Sequence, residues 1–416
     1  MTLYLLSFLG FMIIGIPVAF SLGLSSITYL IINDQMHLLI GFPQKMIAGI
    51  DNFVLLTIPF FILAGNLMNS ADLTRQIVRF AQMLVGRVRG GLAAVNVVAS
   101  MMFSGVSGAA TAEASAIGSV MIPAMRRDGY KPEYAAAVTA AGSILGPLVP
   151  PSLALILYGV LTGTSIADLF LAGIVPAFAL CGSLLVYVPL PPVIPAEERR
   201  SLAVKALPAL LLPVIIVGGI RSGVFTPTEA AAVAVVYALA VGLLLYRTLN
   251  ATKIVASFYE AATMTAGVML IVAMASMTSF ILGIENIPRE IAAQMLGISS
   301  SPWVLILLLN LVLLILGLFL EPLAALVLVM PILNELFPLL GIDPVQFGVM
   351  VVLNLMIGMI TPPVGLCLFI VSAIGKTPLE KVAVAILPMI GISLTILALV
   401  AFAPFLTLTL PGLFPG

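Results

Sequence analysis

Two breaks rich in glycine and proline interrupt apolar stretches of this chain, and they constrain its fold more than any other feature. The first, residues 146–152, is Gly-Pro-Leu-Val-Pro-Pro-Ser, and the second, residues 358–365, is Gly-Met-Ile-Thr-Pro-Pro-Val-Gly. Glycine loosens the backbone, and proline removes a hydrogen-bond donor. In a bilayer, broken helices are tolerated only inside protein or beside a water-filled cavity. The breaks therefore predict helix ends that converge on a binding site.

The composition places these breaks in a membrane. The chain has 416 residues, of which 62% are hydrophobic and 8% are charged, whereas soluble domains are roughly 25% charged. Such a chain cannot present a soluble surface, so it is predicted to be an all-α polytopic protein of the lipid bilayer. The 17 basic and 17 acidic residues balance, which argues against a nucleic-acid partner.

The second half of the chain repeats the first. Pro150 and Pro151 recur as Pro362 and Pro363, 212 residues later. The same offset pairs Gly129 with Gly341, Pro132 with Pro344, Gly146 with Gly358, Asp168 with Glu380, and Pro176 with Pro388. After a slip of four residues, Glu113 pairs with Glu321 and Pro123 with Pro331. Interrupted apolar segments in matching positions of two halves are typical of the binding site of a secondary transporter.

Charged residues predict two re-entrant hairpins that enter from opposite faces. Residues 92–125 are flanked by basic side chains, namely Arg87, Arg89, Arg126, Arg127 and Lys131. By the positive-inside rule this stretch enters and leaves on the cytoplasmic face, with its tip at 104–110. Residues 302–340 have the acidic neighbours Glu285, Glu290, Glu335 and Asp343. An odd number of predicted spans separates the hairpins, so the repeats are predicted to have inverted topology.

The predicted organisation alternates between a scaffold and a transport bundle. Residues 1–91 provide scaffold spans and a first amphipathic arm at 71–90. Residues 3–32 are predicted as one span that is tilted or bent near Gly15 and Pro17, and 33–52 as a loop. Residues 92–164 provide the first hairpin and first broken helix. Residues 165–301 return to the scaffold, with a proline linker at 189–195, a capped helix after Thr226 and a second arm at 285–297. Residues 302–373 provide the second hairpin and broken helix, and 374–416 a last scaffold span, centred on 385–408.

Small oxygen-bearing residues at the tips and breaks are candidate ion ligands. Hydroxyl and carbonyl oxygens suit a weakly held hard cation, and two matching sites predict at least two sodium ions. The candidate sodium ligands are Ser104, Ser107, Gly108, Gly146, Val149, Pro150, Gly317, Glu321, Gly358 and Thr361. Close helix packing through small residues is the structural alternative.

The same breaks are candidates for binding an anion, because helix N-termini carry partial positive charge. The candidate substrate-binding residues are Ser104, Ser107, Pro151, Ser152, Thr361 and Pro363. Glu113 and Glu321 are carboxylates within apolar sequence, where ionisable residues are functional by default. Two roles remain open for them: capping the returning half-helix, or binding an ion or proton.

A different class of protein is consistent with one short motif. Gly105-Val106-Ser107-Gly108 fits the G-x-S-G pattern of intramembrane serine proteases, which need a membrane-embedded histidine as base. The only histidine, His37, lies in a predicted polar loop. No G-x-x-x-x-G-K-[ST] loop occurs, so ATP hydrolysis by this chain is not expected.

Several of these segments together resemble one known family. The run from Phe103 to Gly118, the two breaks, and Gly223-Val-Phe-Thr-Pro-Thr-Glu-Ala-Ala-Ala resemble the large membrane subunit of tripartite ATP-independent periplasmic (TRAP) transporters. The resemblance covers essentially the whole chain. It implies an elevator-type, sodium-coupled importer of organic acids, such as C4-dicarboxylates or sialic acids, in a bacterial inner membrane.

The resemblance also implies two protein partners. They are a small four-helix membrane subunit and a periplasmic substrate-binding protein. A stand-alone sodium/dicarboxylate symporter of related architecture, which needs no binding protein, is the main alternative.

Overall fold

Helices form all the regular structure in the part of the chain that the computed structural model describes, residues 2–85, 91–188 and 196–414. Arg87, Arg89 and the predicted linker at 189–195 lie outside these described residues. Seven of the described helical segments are long and apolar enough to cross a membrane. The predicted all-α polytopic membrane fold is therefore confirmed.

The N-terminal region contains more helices than the sequence predicted. Its helices are α1 (Thr2–Ile13), α2 (Val18–Ile32), α3 (Phe42–Ile50), α4 (Thr57–Ser70) and α5 (Leu73–Val85), with short 3-10 turns at Met36–Gly41 and Phe53–Leu56. The segment 3–32 forms two helices rather than one, and the chain breaks where the sequence predicted a bend: Gly15 has a φ of +90°, and Pro17 precedes α2. Residues 33–52 contain α3 rather than only a loop.

The segment predicted as the first arm contains the amphipathic helix α5. Its Leu73 and Ile77 are fully buried, whereas Arg75 and Arg79 are exposed. This alternation on one helix separates an apolar face that packs on the protein from a basic face suited to lipid headgroups.

The first hairpin and first broken helix lie where the sequence placed them. The helices are α6 (Leu92–Ser107), α7 (Ala110–Arg127), α8 (Pro132–Ser143), α9 (Leu153–Thr162) and α10 (Ile166–Tyr187), with a 3-10 turn at Gly146–Leu148. The chain reverses between α6 and α7 at Gly108, whose φ of +61° is left-handed. Glycine adopts this conformation without a steric penalty, so the sequence fixes the hairpin tip here.

The middle of the chain confirms the predicted helix cap at Thr226, and the segment predicted as the second arm overlaps a short helix at Ile287–Ile298. The helices are α11 (Ala196–Arg221), α12 (Pro227–Ala240), a π-helical turn at Val241–Leu245, α13 (Ala251–Ile284) and α14 (Ile287–Ile298). Thr226 and Glu229 form a reciprocal capping box: the backbone N–H of Thr226 donates to Glu229 Oε2 at 2.8 Å, and that of Glu229 donates to Thr226 Oγ1 at 3.3 Å. With 34 residues, α13 is the longest of the described helices.

The second hairpin and broken helix follow the same plan. The helices are α15 (Pro302–Phe319), α16 (Pro322–Leu340), α17 (Pro344–Gly358), α18 (Leu366–Gly375), α19 (Leu379–Phe402) and α20 (Phe405–Leu413). The predicted last span at 385–408 is placed too late, because α19 starts at Leu379 and stops before Pro404.

The helix starts correct the predicted register of the repeat. α7 begins at Ala110 and α16 at Pro322, so the offset of 212 holds through both hairpins. Ala109, the N-cap residue of α7, corresponds to Glu321, the N-cap residue of α16. The predicted slip of four residues is wrong, and so are the pairings of Glu113 with Glu321 and of Pro123 with Pro331. The predicted register was wrong because it matched residues of the same chemical type, Glu with Glu and Pro with Pro. The positions of the hairpin tips determine the register instead.

The two repeats interlock. The returning helix of the first hairpin, α7, packs against α8 of its own repeat and against α18 of the other. Likewise α16 packs against α17 of its own repeat and α9 of the other. Each hairpin thus contacts half of the broken helix from the opposite repeat, although α16 also packs against α13 and α14, and α6 against α5 and α11.

Inverted topology of the repeats stays a prediction, and labelling tests it. Arg127 and Ser300 are exposed at the bases of the two hairpins, while the native Cys181 and Cys367 are buried. We expect Ser300→Cys to react with an impermeant maleimide in intact spheroplasts, and Arg127→Cys to react only after the membrane is opened, because basic residues stay on the cytoplasmic side. Labelling of both positions from the same side would contradict inverted topology.

Candidate functional site

The two hairpin tips meet the first break around one small cavity. The cavity has a volume of about 20 Å³, which is enough for one water molecule or a small ion. It is lined by Gly108, Ala109, Ala110, Thr111, Pro147, Leu153, Ala154, Glu321, Pro322, Leu323, Met356 and Met359. Helices α7, α9 and α16 all begin in this lining. Three helix N-termini, each with partial positive charge, therefore converge on one point.

The tip of the first hairpin is in close contact with the first break. A Cβ added to Gly108 would overlap the carbonyl oxygen of Pro151. On its other side the tip lies against α4, because a Cβ added to Gly65 of α4 would lie 3.0 Å from the carbonyl oxygen of Val106. Ser152 caps α9, because its Oγ accepts the backbone N–H of Leu155 at 3.2 Å. The tip is thus held closely between the break and α4.

The second hairpin meets its own break through backbone contact. A Cβ on Gly358 would lie 2.5 Å from the carbonyl carbon of Gly317, so only glycine fits at this crossing. Glu321 is the N-cap residue of α16 and accepts the backbone N–H of Leu323 at 3.0 Å. Thr361 donates its hydroxyl to the carbonyl of Ile357 at 2.7 Å, which leaves its oxygen lone pairs available.

Glu113 makes a different set of contacts from Glu321. It is fully buried, and its Oε2 lies 3.1 Å from Ser104 Oγ. The same carboxylate oxygen packs against Gly146 in the first break, where a Cβ would approach it to 2.6 Å. Glu113 Oε1 and the Ser100 hydroxyl have no hydrogen-bond partner among the described residues. The carboxyl group therefore connects the hairpin to the break and does not cap α7.

In each repeat, a hydrogen bond from an asparagine side chain joins the hairpin to its broken helix. These asparagines were not among the residues predicted for the site. In the first repeat, Asn96 Nδ2 of α6 donates to Thr139 Oγ1 of α8 at 2.6 Å. In the second, Asn354 Nδ2 of α17 donates to Asn310 Oδ1 of α15 at 2.7 Å. Each of these asparagines is a polar residue inside an apolar helix, and such residues bind helices together in membranes. This pattern in the sequence could have identified the contacts.

The structure brings together only part of the predicted site. Gly108, Pro151 and Glu321 meet at or beside the tip cavity. Val149 and Pro150 instead line an apolar groove that α6, α10 and α11 enclose, and Pro363 is exposed. The hydroxyls of Ser104, Ser152 and Thr361 already bond to protein atoms, as described above. Ser107 has a buried hydroxyl oxygen without a partner among the described residues, next to the tip.

The protease alternative finds no support in the geometry. His37 is exposed in the turn Met36–Gly41. Within the described residues no side chain accepts a hydrogen bond from Ser107 Oγ, so no base holds the hydroxyl that would act as nucleophile.

Interrupted helices whose N-termini converge between two hairpins are typical of secondary transporters. The chain belongs to the family described as the DctM component of the tripartite ATP-independent periplasmic transporter, which matches residues 5–406. Membership of this family, together with the seven apolar helices, makes it a multi-pass protein of the bacterial inner membrane. The predicted family is confirmed, as is the prediction that the chain is a transporter and not an enzyme.

Curated relatives match over nearly their full length. The sialic acid TRAP transporter large permease protein SiaM of Vibrio cholerae is 45% identical, and the match covers 98% of this chain and 97% of that protein. The C4-dicarboxylate TRAP transporter large permease protein DctM of Pseudomonas aeruginosa is 40% identical, with 94% of each chain covered.

Solved structures share the fold at low sequence identity. MtrF of Neisseria gonorrhoeae, from a class described as antimetabolite efflux pumps, has a TM-score of 0.59 and 14% identity over 90% of this chain and 85% of its own. The YdaH transporter of Alcanivorax borkumensis has a TM-score of 0.58 and 15% identity over 92% of this chain and 90% of its own. At these identities the likeness concerns the fold alone.

Proposed function

We propose that this chain imports an organic acid anion, of the sialic acid or C4-dicarboxylate type, by sodium coupling and an elevator motion. The observation that carries the proposal is the convergence of two hairpin tips and a helix break on one cavity. Relatives named for sialic acid and for C4-dicarboxylates support the substrate class.

Oxygen atoms at the first tip and in the second break support sodium as the coupling ion. Ser107 offers a buried hydroxyl oxygen with no protein partner, and Thr361 donates its proton to Ile357 and keeps its lone pairs free. Hydroxyl and carbonyl oxygens are the ligands that hard cations prefer. A cavity of about 20 Å³ has the size of a single ion and not of an organic acid, so the tips must separate from the break before the substrate enters.

The convergent helix N-termini support an anionic substrate. The first turns of α7, α9 and α16 carry backbone N–H groups that have no acceptor within their own helix. Ser152 and Glu321 each accept one of them, from Leu155 and Leu323. A carboxylate of the substrate would accept the remaining donors once the tips separate. No arginine or lysine lines the cavity within the described residues, so backbone dipoles supply the attraction.

The interlocked repeats support a rigid moving bundle. Because α7 packs on α18 and α16 on α9, neither hairpin opens far without disturbing the other repeat. Movement of the whole bundle against the scaffold keeps these contacts, and such rigid-body movement is a usual form of alternating access.

The family supports two partners, a small membrane subunit and a periplasmic substrate-binding protein. This chain matches only 65% of the isethionate TRAP transporter permease protein DctMQ of Oleidesulfovibrio alaskensis. That relative therefore carries additional chain, consistent with a second membrane subunit fused to it. Transport reconstituted with and without the binding protein separates this proposal from a stand-alone symporter.

Uptake is expected to require a sodium gradient and to rise steeply with sodium concentration, in proteoliposomes supplied with sialic acid or a C4-dicarboxylate. Thr361→Ala is expected to raise the sodium concentration for half-maximal uptake about tenfold, since one contact to a charged group is worth about 1.5 kcal/mol. The helix break remains in this variant, so substrate affinity changes less.

Thr395→Ala is the matched control. Thr395 makes the same kind of bond, to the carbonyl of Gly391 at 2.9 Å, but on the exposed side of α19. Its replacement is expected to leave sodium dependence unchanged. Uptake that persists with potassium, or with a proton gradient alone, would refute sodium coupling.

A further inference from the structure

An apolar groove of about 790 Å³ runs between α6 of the first hairpin and the helices α10 and α11. Its lining includes Val98 and Gly105 of α6, Phe178 of α10 and Val214 of α11. Phe178 and Val214 are each 64% exposed, so the groove is open on its outer side. Within the described residues no charged side chain lines it, and the charge of an organic acid would be uncompensated there. The groove therefore suits an apolar molecule and not the proposed substrate.

The length of the groove matches one leaflet of a bilayer. On α10 the lining residues extend from Ile174 to Leu185, which is about 16 Å at the helical rise of roughly 1.5 Å per residue. Half of the hydrocarbon core of a bilayer is about 15 Å thick. One end of the groove lies at the first break, because Val149 and Pro150 line it. The groove thus has the length of the acyl chains of a lipid that enters from one leaflet.

The other end of the groove lies beside the basic face of α5. Phe80 and Leu84 of α5 line the groove, and α5 packs on both α6 and α11. Because α5 precedes α6 in the chain, it lies near the start of α6, whereas the break lies at the tip. Arg79 directly precedes Phe80, and Arg75 lies one turn before Arg79 on the same face. Both arginines are exposed, and neither forms an ion pair among the described residues.

We propose that the groove binds an anionic phospholipid, with its acyl chains between α6, α10 and α11 and its phosphate against Arg75 and Arg79. Arginine pairs with phosphate oxygens through charge-assisted hydrogen bonds. The acyl chains cover apolar side chains such as Phe178 and Val214, and this burial stabilises the complex. The bound lipid separates the first hairpin from α11 along most of the groove. The site requires neither sodium coupling nor a particular substrate.

Native mass spectrometry of the full chain, purified and delipidated in detergent, tests the headgroup. We expect one molecule of dioleoyl-phosphatidylglycerol to bind more tightly than dioleoyl-phosphatidylcholine, which has the same acyl chains and no net charge. Arg75→Gln/Arg79→Gln is expected to weaken phosphatidylglycerol binding about thirtyfold, since each basic residue near an anionic headgroup contributes about fivefold. The control Arg127→Gln removes an exposed arginine of α7 outside the groove, and is expected to bind like the wild type. Equal affinity of the wild type for the two lipids would overturn the anionic headgroup.

Filling the groove tests the position of the acyl chains. Gly182 of α10 and Gly391 of α19 both have no heavy atom within 4 Å of an added Cβ, but only Gly182 lines the groove. Gly182→Leu is therefore expected to fold and to lose the tight binding of both lipids, whereas Gly391→Leu is expected to retain it. Undiminished phosphatidylglycerol binding by Gly182→Leu would overturn the groove as the site. A dimer of the wild-type chain that Gly182→Leu disrupts would show that a second copy fills the groove, and would also overturn the proposal.

Discussion

A disulfide between Gly105→Cys and Pro213→Cys is expected to abolish uptake. Gly105 lies on α6 of the first hairpin, and a Cβ built on it lies 3.5 Å from the Cβ of Pro213 on the scaffold helix α11. This separation suits a disulfide, and replacing Pro213 removes the ring that would crowd the new side chain. If the hairpins move with the bundle, the bond fixes them to the scaffold. Uptake is measured before and after oxidation, with Cys181 and Cys367 replaced by alanine.

The matched control joins two helices within the proposed transport bundle. Ala136 of α8 and a Cβ on Gly375, at the end of α18, lie 3.8 Å apart. The Ala136→Cys/Gly375→Cys disulfide connects the two repeats and is expected to leave uptake unaffected. In the bundle–scaffold variant, reduction is expected to restore transport, and substrate binding is expected to persist throughout. Full uptake by the oxidised Gly105→Cys/Pro213→Cys protein would exclude the elevator motion and favour local gating by the hairpins.

Gly358→Ala is expected to cause the largest loss among single substitutions of the breaks. The new methyl group would lie 2.5 Å from the carbonyl carbon and 2.6 Å from the Cα of Gly317. Since backbone atoms cannot give way as a flexible side chain does, α15 must move away from α17. Such overpacking costs about 1–3 kcal/mol, and it displaces the second tip from its break. We expect a lower unfolding temperature in detergent and uptake near background.

Gly391→Ala is the control for this substitution. Gly391 lies within α19 and has no heavy atom within 4 Å of the site of an added Cβ. Alanine there is expected to stabilise the helix slightly, by up to about 1 kcal/mol, and to leave uptake intact. If Gly358→Ala transports as well as Gly391→Ala, the close crossing of the two backbones has no role in transport.

The sequence by itself determined where helices stop. Gly108 ends α6, Pro132 and Pro344 start α8 and α17, and the double prolines interrupt both broken helices, because each of these residues restricts or frees its own backbone. The capping box at Thr226 was equally local. Such features depend on neighbours within a few residues, so one sequence suffices to find them. The membrane class followed from composition, and the family from motifs of the same local kind.

Only the tertiary structure decided which of these ends meet and what each side chain does there. Glu113 and Glu321 looked equivalent in the sequence, yet one links Ser104 to Gly146 and the other caps α16. Val149 and Pro150 belong to a motif of the site but line a groove elsewhere. The physical reason is that the role of a carboxyl or hydroxyl group is set by atoms brought close from distant parts of the chain. The interlocking of α7 with α18 and of α16 with α9 supplies those atoms.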